Sequence, residues 1–180
     1  GFYDKKKDTL VVKTIQSVSN ATEFRSIAAT KDAIFILAVG NPAKLIKIDK
    51  KSLQETIVYQ EENEKVFYDS MKFVDNLNGF AMGDPTEDCL SFIKTTDGGN
   101  SWEKISCANL PKVSEGEAAF ATSNTNLIVK GKSIFMVSDN TFLTLPKYLK
   151  KHHQNLKKCQ RILFFLRHFL VTYLDDKRLV

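Results

Sequence analysis

The feature of this sequence that most constrains its fold is a segment that recurs after roughly 43 residues. Residues 40–42 read Gly-Asn-Pro, and residues 83–85 read Gly-Asp-Pro. The runs that precede them, 24–32 and 68–76, share a pattern of apolar and polar positions. A third, weaker copy covers residues 116–137. Recurrence at this spacing is typical of solenoids, propellers and other arrays of one structural unit.

Each copy contains short runs of β-branched and aromatic residues, separated by turn residues roughly every eight to twelve positions. This spacing favours antiparallel strands over helices. About four strands in a period in the forties is the size of one β-propeller blade. We therefore predict an all-β fold over residues 1–140, a partial β-propeller of about three four-stranded antiparallel blades. The alternative is a β-sandwich whose strands resemble one another by chance.

Residues 95–102 carry the sharpest local motif in the chain. They read Thr-Thr-Asp-Gly-Gly-Asn-Ser-Trp and fit the pattern S/T-x-D-x-G-x-S/T-W at every specified position. We expect a hairpin between the two outer strands of a blade, in which Asp97 accepts hydrogen bonds from its own turn. The two glycines permit positive φ angles, and the indole covers the turn. The residues assigned to this structural role are Thr95, Asp97, Gly98, Gly99, Ser101 and Trp102.

With this motif the sequence resembles the Asp-box, or bacterial neuraminidase repeat, propellers, a group that includes sialidases and sortilin-like receptors. The wider pattern of residues 68–71, 83–85 and 116–121 is most similar to propellers related to the photosystem II assembly and stability factors. The resemblance covers roughly residues 10–138. It implies that Asp97 is a structural residue on the blade rim, remote from any active site. It also implies a secreted or periplasmic protein.

Candidate ligand-binding residues follow from the place of the innermost strands, which line the central channel of a propeller. The three copies can be aligned on their first turns, at Asp32, Asn76 and Asn124. Seven residues before these turns stand three charged residues, Arg25, Asp69 and Glu117. Further candidates are Tyr68, beside Asp69, and Asp84 in the Gly-Asp-Pro loop. These residues predict either a polar pocket for a ligand or channel side chains that pair with one another.

Charge is distributed unevenly along the chain. Residues 1–140 hold 17 Lys and Arg against 19 Asp and Glu, whereas residues 141–180 hold 9 against 2. The slightly acidic body argues against nucleic-acid binding, because attraction to phosphates supplies most of that affinity. The shift predicts a boundary near Asn140 and a basic tail over 141–180. A shifted reading frame or truncation, a basic amphipathic helix that docks on acidic lipid or a partner, and a divergent capping segment would each explain the tail.

The sequence carries no pattern that indicates a metal, a cofactor or a membrane span. The three cysteines, Cys89, Cys107 and Cys159, lack metal-ligand spacing, and His152 and His153 lack a suitably spaced third ligand. Cys89 and Cys107 could pair across one blade, but free buried thiols are favoured. The apolar runs all fall short of the roughly 20 residues that a membrane helix needs. We therefore expect no metal, no cofactor and no membrane span.

The function that these features favour is a non-catalytic binding or assembly module that recognises a protein or a glycan through the channel face. The alternative is a fragment of a secreted glycoside hydrolase of the sialidase-like superfamily, with part of its site on further blades. A sialidase needs an arginine cluster, and residues 1–140 contain only Arg25. Because propellers usually close with four to eight blades, we also expect association with another chain that covers open blade edges.

Overall fold

The computed structural model of the chain describes residues 2–19, 22–119, 126–130, 133–138 and 142–145. Its strands are β1 (Phe2–Asp4), β2 (Thr9–Val11), β3 (Phe24–Ala29), β4 (Ala33–Ala38), β5 (Ala43–Asp49), β6 (Glu55–Glu61), β7 (Tyr68–Phe73), β8 (Gly79–Pro85), β9 (Leu90–Thr95), β10 (Glu103–Lys104), β11 (Leu127–Lys130), β12 (Ser133–Val137) and β13 (Phe142–Leu145). One short 3-10 helix spans Cys107–Asn109. No helix in these ranges is both long enough and apolar enough to cross a membrane.

The strands form antiparallel sheets in which neighbours along the chain are also neighbours in space. Sheet 1 has the order β3-β4-β5-β6, and sheet 2 has the order β7-β8-β9-β10. Sheet 3 contains β11, β12 and β13, and β1 pairs with β2 in an N-terminal hairpin. Strand β7 contacts both β3 and β11, so the first strands of the three sheets are adjacent. The predicted all-β fold, a partial propeller of successive antiparallel blades, is confirmed.

The three sheets repeat the same pairing pattern, so positions can be matched from one sheet to the next. A row of directly opposed residues crosses the first, second and third strands of each sheet. The matched rows are Ile27, Ile36 and Ile46 in sheet 1, Met71, Ala81 and Ile93 in sheet 2, and Leu127, Met136 and Leu143 in sheet 3. Strands β3 and β7 also share a one-residue register shift next to their first paired residue. The repeat that the sequence suggested is therefore a repeat of register as well as of strand order.

Hydrophobic side chains fill the space between successive sheets in two separate clusters. The first, between sheets 1 and 2, includes Phe35, Leu37, Leu45, Tyr68, Met71, Ile93 and Trp102. The second, between sheets 2 and 3, includes Met82, Leu90, Phe92, Leu127, Ile134 and Met136. Each such side chain contributes about 1.5–3 kcal/mol when fully buried. Alternate residues of the strands in sheet 2 point into the two clusters, so this sheet is covered on both faces.

Sheet 3 extends past the boundary that the composition predicts near Asn140. Strand β13 pairs with β12 over Phe142–Leu145, although its sequence already belongs to the segment that is poor in glycine and acidic residues. The sheet therefore continues to at least residue 145. The predicted basic tail beyond that residue, with its helical alternative, lies outside the described residues.

The prediction that Cys89 and Cys107 are free buried thiols is wrong. Cys89 and Cys107 form a disulfide bond with a Cα–Cα distance of 5.4 Å. The cause is the hairpin register, in which Lys94 lies opposite Glu103. Antiparallel pairing from that point brings the residue before β9 close to the start of the 3-10 helix that follows β10. Spacing along the chain does not reveal this proximity, but the strand register does.

Candidate functional site

The 95–102 turn joins β9 to β10 and is held by the carboxylate of Asp97. Oδ1 of Asp97 accepts hydrogen bonds from the Thr95 hydroxyl (2.7 Å) and from the backbone N–H groups of Asn100 (2.9 Å) and Ser101 (3.1 Å). Oδ2 accepts a further bond from the Ser101 hydroxyl at 2.7 Å. Burial alone would raise the pKa of Asp97, but these hydrogen bonds lower it to about 2. A carboxylate satisfied in this way holds its turn and has little capacity left for a ligand.

The same turn docks on sheet 1. Gly99 has a φ of 74°, and a Cβ atom at this position would lie 2.3 Å from Cε1 of Phe35. The absence of a side chain thus lets the turn approach the ring closely. Nζ of Lys47, on β5, donates a hydrogen bond to Oδ1 of Asn100 at 2.7 Å. The turn therefore fastens sheet 2 to sheet 1 as well as closing its own hairpin.

Trp102 extends this contact between the sheets. Its ring meets the ring of Phe73 edge-on, with 5.7 Å between centroids, and that of Phe35 at 6.4 Å. Such edge-to-face contacts between aromatic rings add stability beyond the area they bury. The sequence predicts that the indole of Trp102 covers the turn. In the structure the indole also packs in the core between sheets 1 and 2.

Arg25 and Asp69 occupy the same position in consecutive sheets. Each is the extra residue of a β-bulge near the start of the first strand, Arg25 in β3 and Asp69 in β7. Bulges re-aim a side chain and are common beside functional sites. Nε of Arg25 lies 4.0 Å from Oδ1 of Asp69. The alignment of these two residues from sequence thus corresponds to a real juxtaposition of opposite charges.

The carboxylate of Asp69 is buried and lacks hydrogen bonds. The residue is 3% exposed, and neither of its oxygens has a hydrogen-bond partner within the described ranges of the chain. Burial and then the nearby charge of Asp84 raise the pKa of Asp69 to about 7, although Arg25 acts in the opposite direction. An unsatisfied buried polar group costs about 1–3 kcal/mol. Groups with such perturbed ionisation concentrate at functional sites.

Asp84 and Phe67 complete the surroundings of this pair. Oδ1 of Asp84 accepts a hydrogen bond from the backbone N–H of Ala119 at 2.7 Å, which connects sheet 2 to the segment leading into sheet 3. The guanidinium of Arg25 lies over the Phe67 ring, with 5.3 Å from Cζ to the centroid. The Arg25 side chain is 30% exposed and that of Asp69 only 1%, so solvent reaches the pair from the side of the arginine. We call Arg25, Phe67, Asp69 and Asp84 the bulge site.

Tyr68 lies next to Asp69 in sequence but belongs to a different cluster. Its ring is fully buried, and its hydroxyl donates to Oε2 of Glu61 at 2.7 Å, as does the hydroxyl of Tyr59. Lys104 forms an ion pair with the other oxygen of Glu61. Burial would raise the pKa of Glu61, but the bonds from Lys104 and the two tyrosines lower it. In the structure Tyr68 therefore joins sheets 1 and 2 and does not reach the bulge site.

Glu117 does not share the position of Arg25 and Asp69, which corrects the alignment made from sequence. Those two residues follow the first paired residue of their strands, whereas Glu117 precedes the paired residue Ala119. Its carboxylate instead accepts hydrogen bonds from the backbone N–H of Ser114 (2.8 Å) and from the hydroxyl of Ser138.

The candidates predicted from the sequence did not include Phe67, which lies in the bulge site, or Glu61, which binds Tyr68. Phe67 stands directly before the repeated segment, so its place beside Arg25 could have been suspected from adjacency to Asp69. Glu61 and Tyr59 are two residues apart on one strand and therefore share a face. Nothing in the sequence identifies Tyr68 and Lys104 as their partners, because these come from another sheet.

One further group of potential ligands lies beside the disulfide. Among the described residues, Glu87, Asp88 and Cys107 bring three potential metal-ligating atoms close together. The sulfur of Cys107 is bonded to Cys89. A cysteine binds a metal as a thiolate, so the disulfide removes Cys107 as a ligand and leaves only the two carboxylates of this group.

Comparison with known proteins adds no family to this description. No model of a protein family matches the chain, and no curated protein matches it either. The function is therefore inferred from the geometry of the bulge site and of the 95–102 turn.

Proposed function

We propose that this chain is a non-catalytic binding module of the Asp-box propeller type, which recognises a protein or a glycan at the channel end of its first strands. The proposal that the chain is an Asp-box propeller is supported by the repeated antiparallel sheets. It is also supported by the hydrogen bonds of Thr95 and Ser101 to Asp97 in the 95–102 turn. Within that group, the sequence pattern favours the propellers related to photosystem II assembly and stability factors.

The observation that carries the binding proposal is the buried carboxyl group of Asp69, which lacks a hydrogen-bond partner in the described residues and lies beside Arg25. A ligand group that both donates and accepts hydrogen bonds would satisfy this pair. Sugar hydroxyls and peptide amides have this property. The half-buried ring of Phe67 offers an apolar surface next to them. These features favour a glycan or an extended peptide over a purely apolar ligand.

Binding can be tested with immobilised glycans and immobilised peptides as probes. We expect the unmodified chain to bind at least one of the two classes. Asp69→Asn should weaken that binding by about 10- to 100-fold, the effect of losing a hydrogen bond to a charged or strongly polar partner. Glu87→Gln changes the same type of charge at an exposed position in the turn between β8 and β9 and should leave binding unchanged. Failure to bind either class, or equal binding by Asp69→Asn, would contradict the proposal.

A second candidate, a glycoside hydrolase fragment, is favoured by one observation. Asp69 has a pKa raised to about 7 and a second carboxylate, Asp84, nearby, as a general acid and its partner require. We place binding first because residues 1–140 contain one arginine, Arg25, whereas a sialidase needs an arginine cluster for its substrate. Turnover of a panel of nitrophenyl glycosides, lost in both Asp69→Asn and Asp84→Asn, would favour the enzyme. No turnover by the unmodified chain would remove this candidate.

We also propose that the protein acts in an oxidising compartment, outside the cytoplasm. The support is the disulfide between Cys89 and Cys107, since such bonds persist mainly in secreted and periplasmic proteins. The resemblance to secreted propellers agrees with this location.

A further inference from the structure

Arg25 lies in the bulge site without a hydrogen bond to Asp69. Its guanidinium is stacked over the Phe67 ring, and its Nε is 4.0 Å from Oδ1 of Asp69. On the other side, its Nη1 is 3.9 Å from Oε1 of Glu23. Both distances exceed the roughly 3.2 Å limit of a hydrogen bond. The aromatic ring and the attraction of two carboxylates therefore hold this cation in place, and its buried Nε has no hydrogen-bond partner among the described residues.

This arrangement leaves the carboxyl group of Asp69 without an adequate partner. Neither of its oxygens accepts a hydrogen bond in the described ranges, although the side chain is almost completely buried. Its pKa stays raised to about 7, because burial and the charge of Asp84 outweigh the opposite effect of Arg25. A well-placed guanidinium would donate two parallel hydrogen bonds to this carboxylate and would lower its pKa. Asp69 therefore has the capacity to bind a second cation more tightly than it binds Arg25.

The surroundings of Asp69 suit a planar cation. The contacts described above place three carboxylates, those of Glu23, Asp69 and Asp84, around one guanidinium, so the local charge attracts a further positive group. The half-buried Phe67 ring offers a face on which a guanidinium can stack, as that of Arg25 does. The side chains of Arg25 and Glu23 are 30% and 73% exposed. Arg25 can therefore turn toward Glu23 and the solvent, and so leave its place beside Asp69.

We propose that the bulge site binds an arginine side chain of an extended peptide, and that Arg25 is an internal competitor for the same place. This ligand class rests on the function proposed above, with a peptide as the partner. The guanidinium of the peptide stacks on Phe67 and donates two hydrogen bonds to Asp69, while Arg25 moves toward Glu23. A guanidinium fits better than the ammonium of lysine, because it is planar, stacks on aromatic rings and pairs with both oxygens of a carboxylate.

Two fluorescent peptides test the ligand class. One is a short glycine- and serine-rich peptide with a single central arginine, and the other carries citrulline, whose neutral urea group has nearly the same shape. Fluorescence anisotropy with the full chain should show that the arginine peptide binds at least about 10-fold more tightly, the effect of one charge-assisted pair. Asp69→Asn should abolish this preference. Lys31→Gln is the matched control and should keep it, because it removes a positive charge at an exposed position just beyond the opposite end of β3.

Variants of Arg25 test the competition. Arg25→Gln removes the internal cation and should tighten binding of the arginine peptide about 10-fold, because the site is no longer occupied in most chains before the peptide arrives. Arg25→Lys keeps the charge but lacks the planar fork, so it should tighten binding about 3-fold. It is the second variant if circular dichroism shows that the glutamine chain does not fold. Unchanged or weaker binding by a folded Arg25 variant would overturn the proposal.

The peptide pair also separates a wrong ligand from a wrong function. Binding of glycans or peptides that depends on Asp69, but shows no preference for arginine over citrulline, would overturn the arginine ligand and leave the binding module in place. No binding of any glycan or peptide by the unmodified chain would remove both.

Discussion

Two aspartates of sheet 2 have opposite surroundings. Asp97 sits in the 95–102 turn, where hydroxyl and backbone groups satisfy its carboxylate and lower its pKa to about 2. Asp69 sits in the bulge of β7, where burial and Asp84 raise its pKa to about 7. The more conspicuous motif in the sequence surrounds Asp97, but its chemistry is already complete. The comparison teaches that an unsatisfied group, more than a recognisable motif, indicates where a ligand can act.

The largest expected effect is a gain in stability from Asp69→Asn. Unfolded Asp69 has the ordinary pKa of 3.8 and folded Asp69 one of about 7, so the folded state holds the extra proton between these values. Stability is therefore highest below the lower value and falls as the pH rises to about 7. The asparagine variant escapes this loss. At about pH 8 its free energy of unfolding should exceed that of the unmodified chain by up to about 4 kcal/mol.

Chemical denaturation across the pH range measures this difference, which should vanish below about pH 4. An asparagine variant that is less stable than the unmodified chain at alkaline pH would show that Asp69 is satisfied in solution. That result would erase the contrast between the two aspartates.

Gly99→Ala should give the next largest effect, a loss of about 3 kcal/mol. The new Cβ would meet the buried ring of Phe35 at 2.3 Å, and the backbone φ of 74° disfavours any side chain. Gly116→Ala is the matched control, because Gly116 has a φ of 75° with no atom within 4 Å of its built Cβ. It should cost only about 1 kcal/mol. Equal losses, measured by thermal unfolding, would mean that the turn does not depend on its contact with sheet 1.

Asp97→Ala should give the smallest loss, about 1–2 kcal/mol at neutral pH, through the hydrogen bonds of the turn. Because the folded pKa is lowered to about 2 from 3.8, this contribution is present above the ordinary value and disappears as the pH falls through about 2. The sign of this pH dependence is opposite to that of Asp69. Denaturant titrations at several pH values test it, and a loss that persists in strong acid would contradict the explanation.

Much of the fold could be predicted from the sequence because it is local and repeated. Alternating apolar runs and the 95–102 motif locate the strands and one hairpin, and the seven-residue offset from Asp32 and Asn76 pairs Arg25 with Asp69. The same method misplaced Glu117, which precedes the paired residue Ala119, whereas Arg25 and Asp69 follow the first paired residue of their strands. Alignment assumes equal spacing, and a local difference in spacing shifts every residue before it.

The remaining features depend on contacts that the local pattern of the strands does not give. The partners of Glu61, the burial of Trp102 against Phe73 and the proximity of Cys89 to Cys107 each join segments that are distant in sequence. Strand alternation indicates which face a residue occupies, but it does not identify the residue on the opposing sheet. The carboxyl group of Asp69 belongs to this class, since its raised pKa comes from burial and from Asp84 on the adjacent strand β8, while Arg25 of sheet 1 acts in the opposite direction.

Sheet 2, which is covered on both sides, has a consequence for how the molecule opens. In stacked repeats, stability is roughly the sum of each unit and its nearest-neighbour contacts, so units at the ends detach first. Among the three described sheets of the repeat, Arg25 belongs to an outer one and Asp69 to the central one. Detachment of sheet 1 would therefore separate the charges of Arg25 and Asp69. A ligand that binds both side chains would oppose this detachment and so stabilise the contact between sheets 1 and 2.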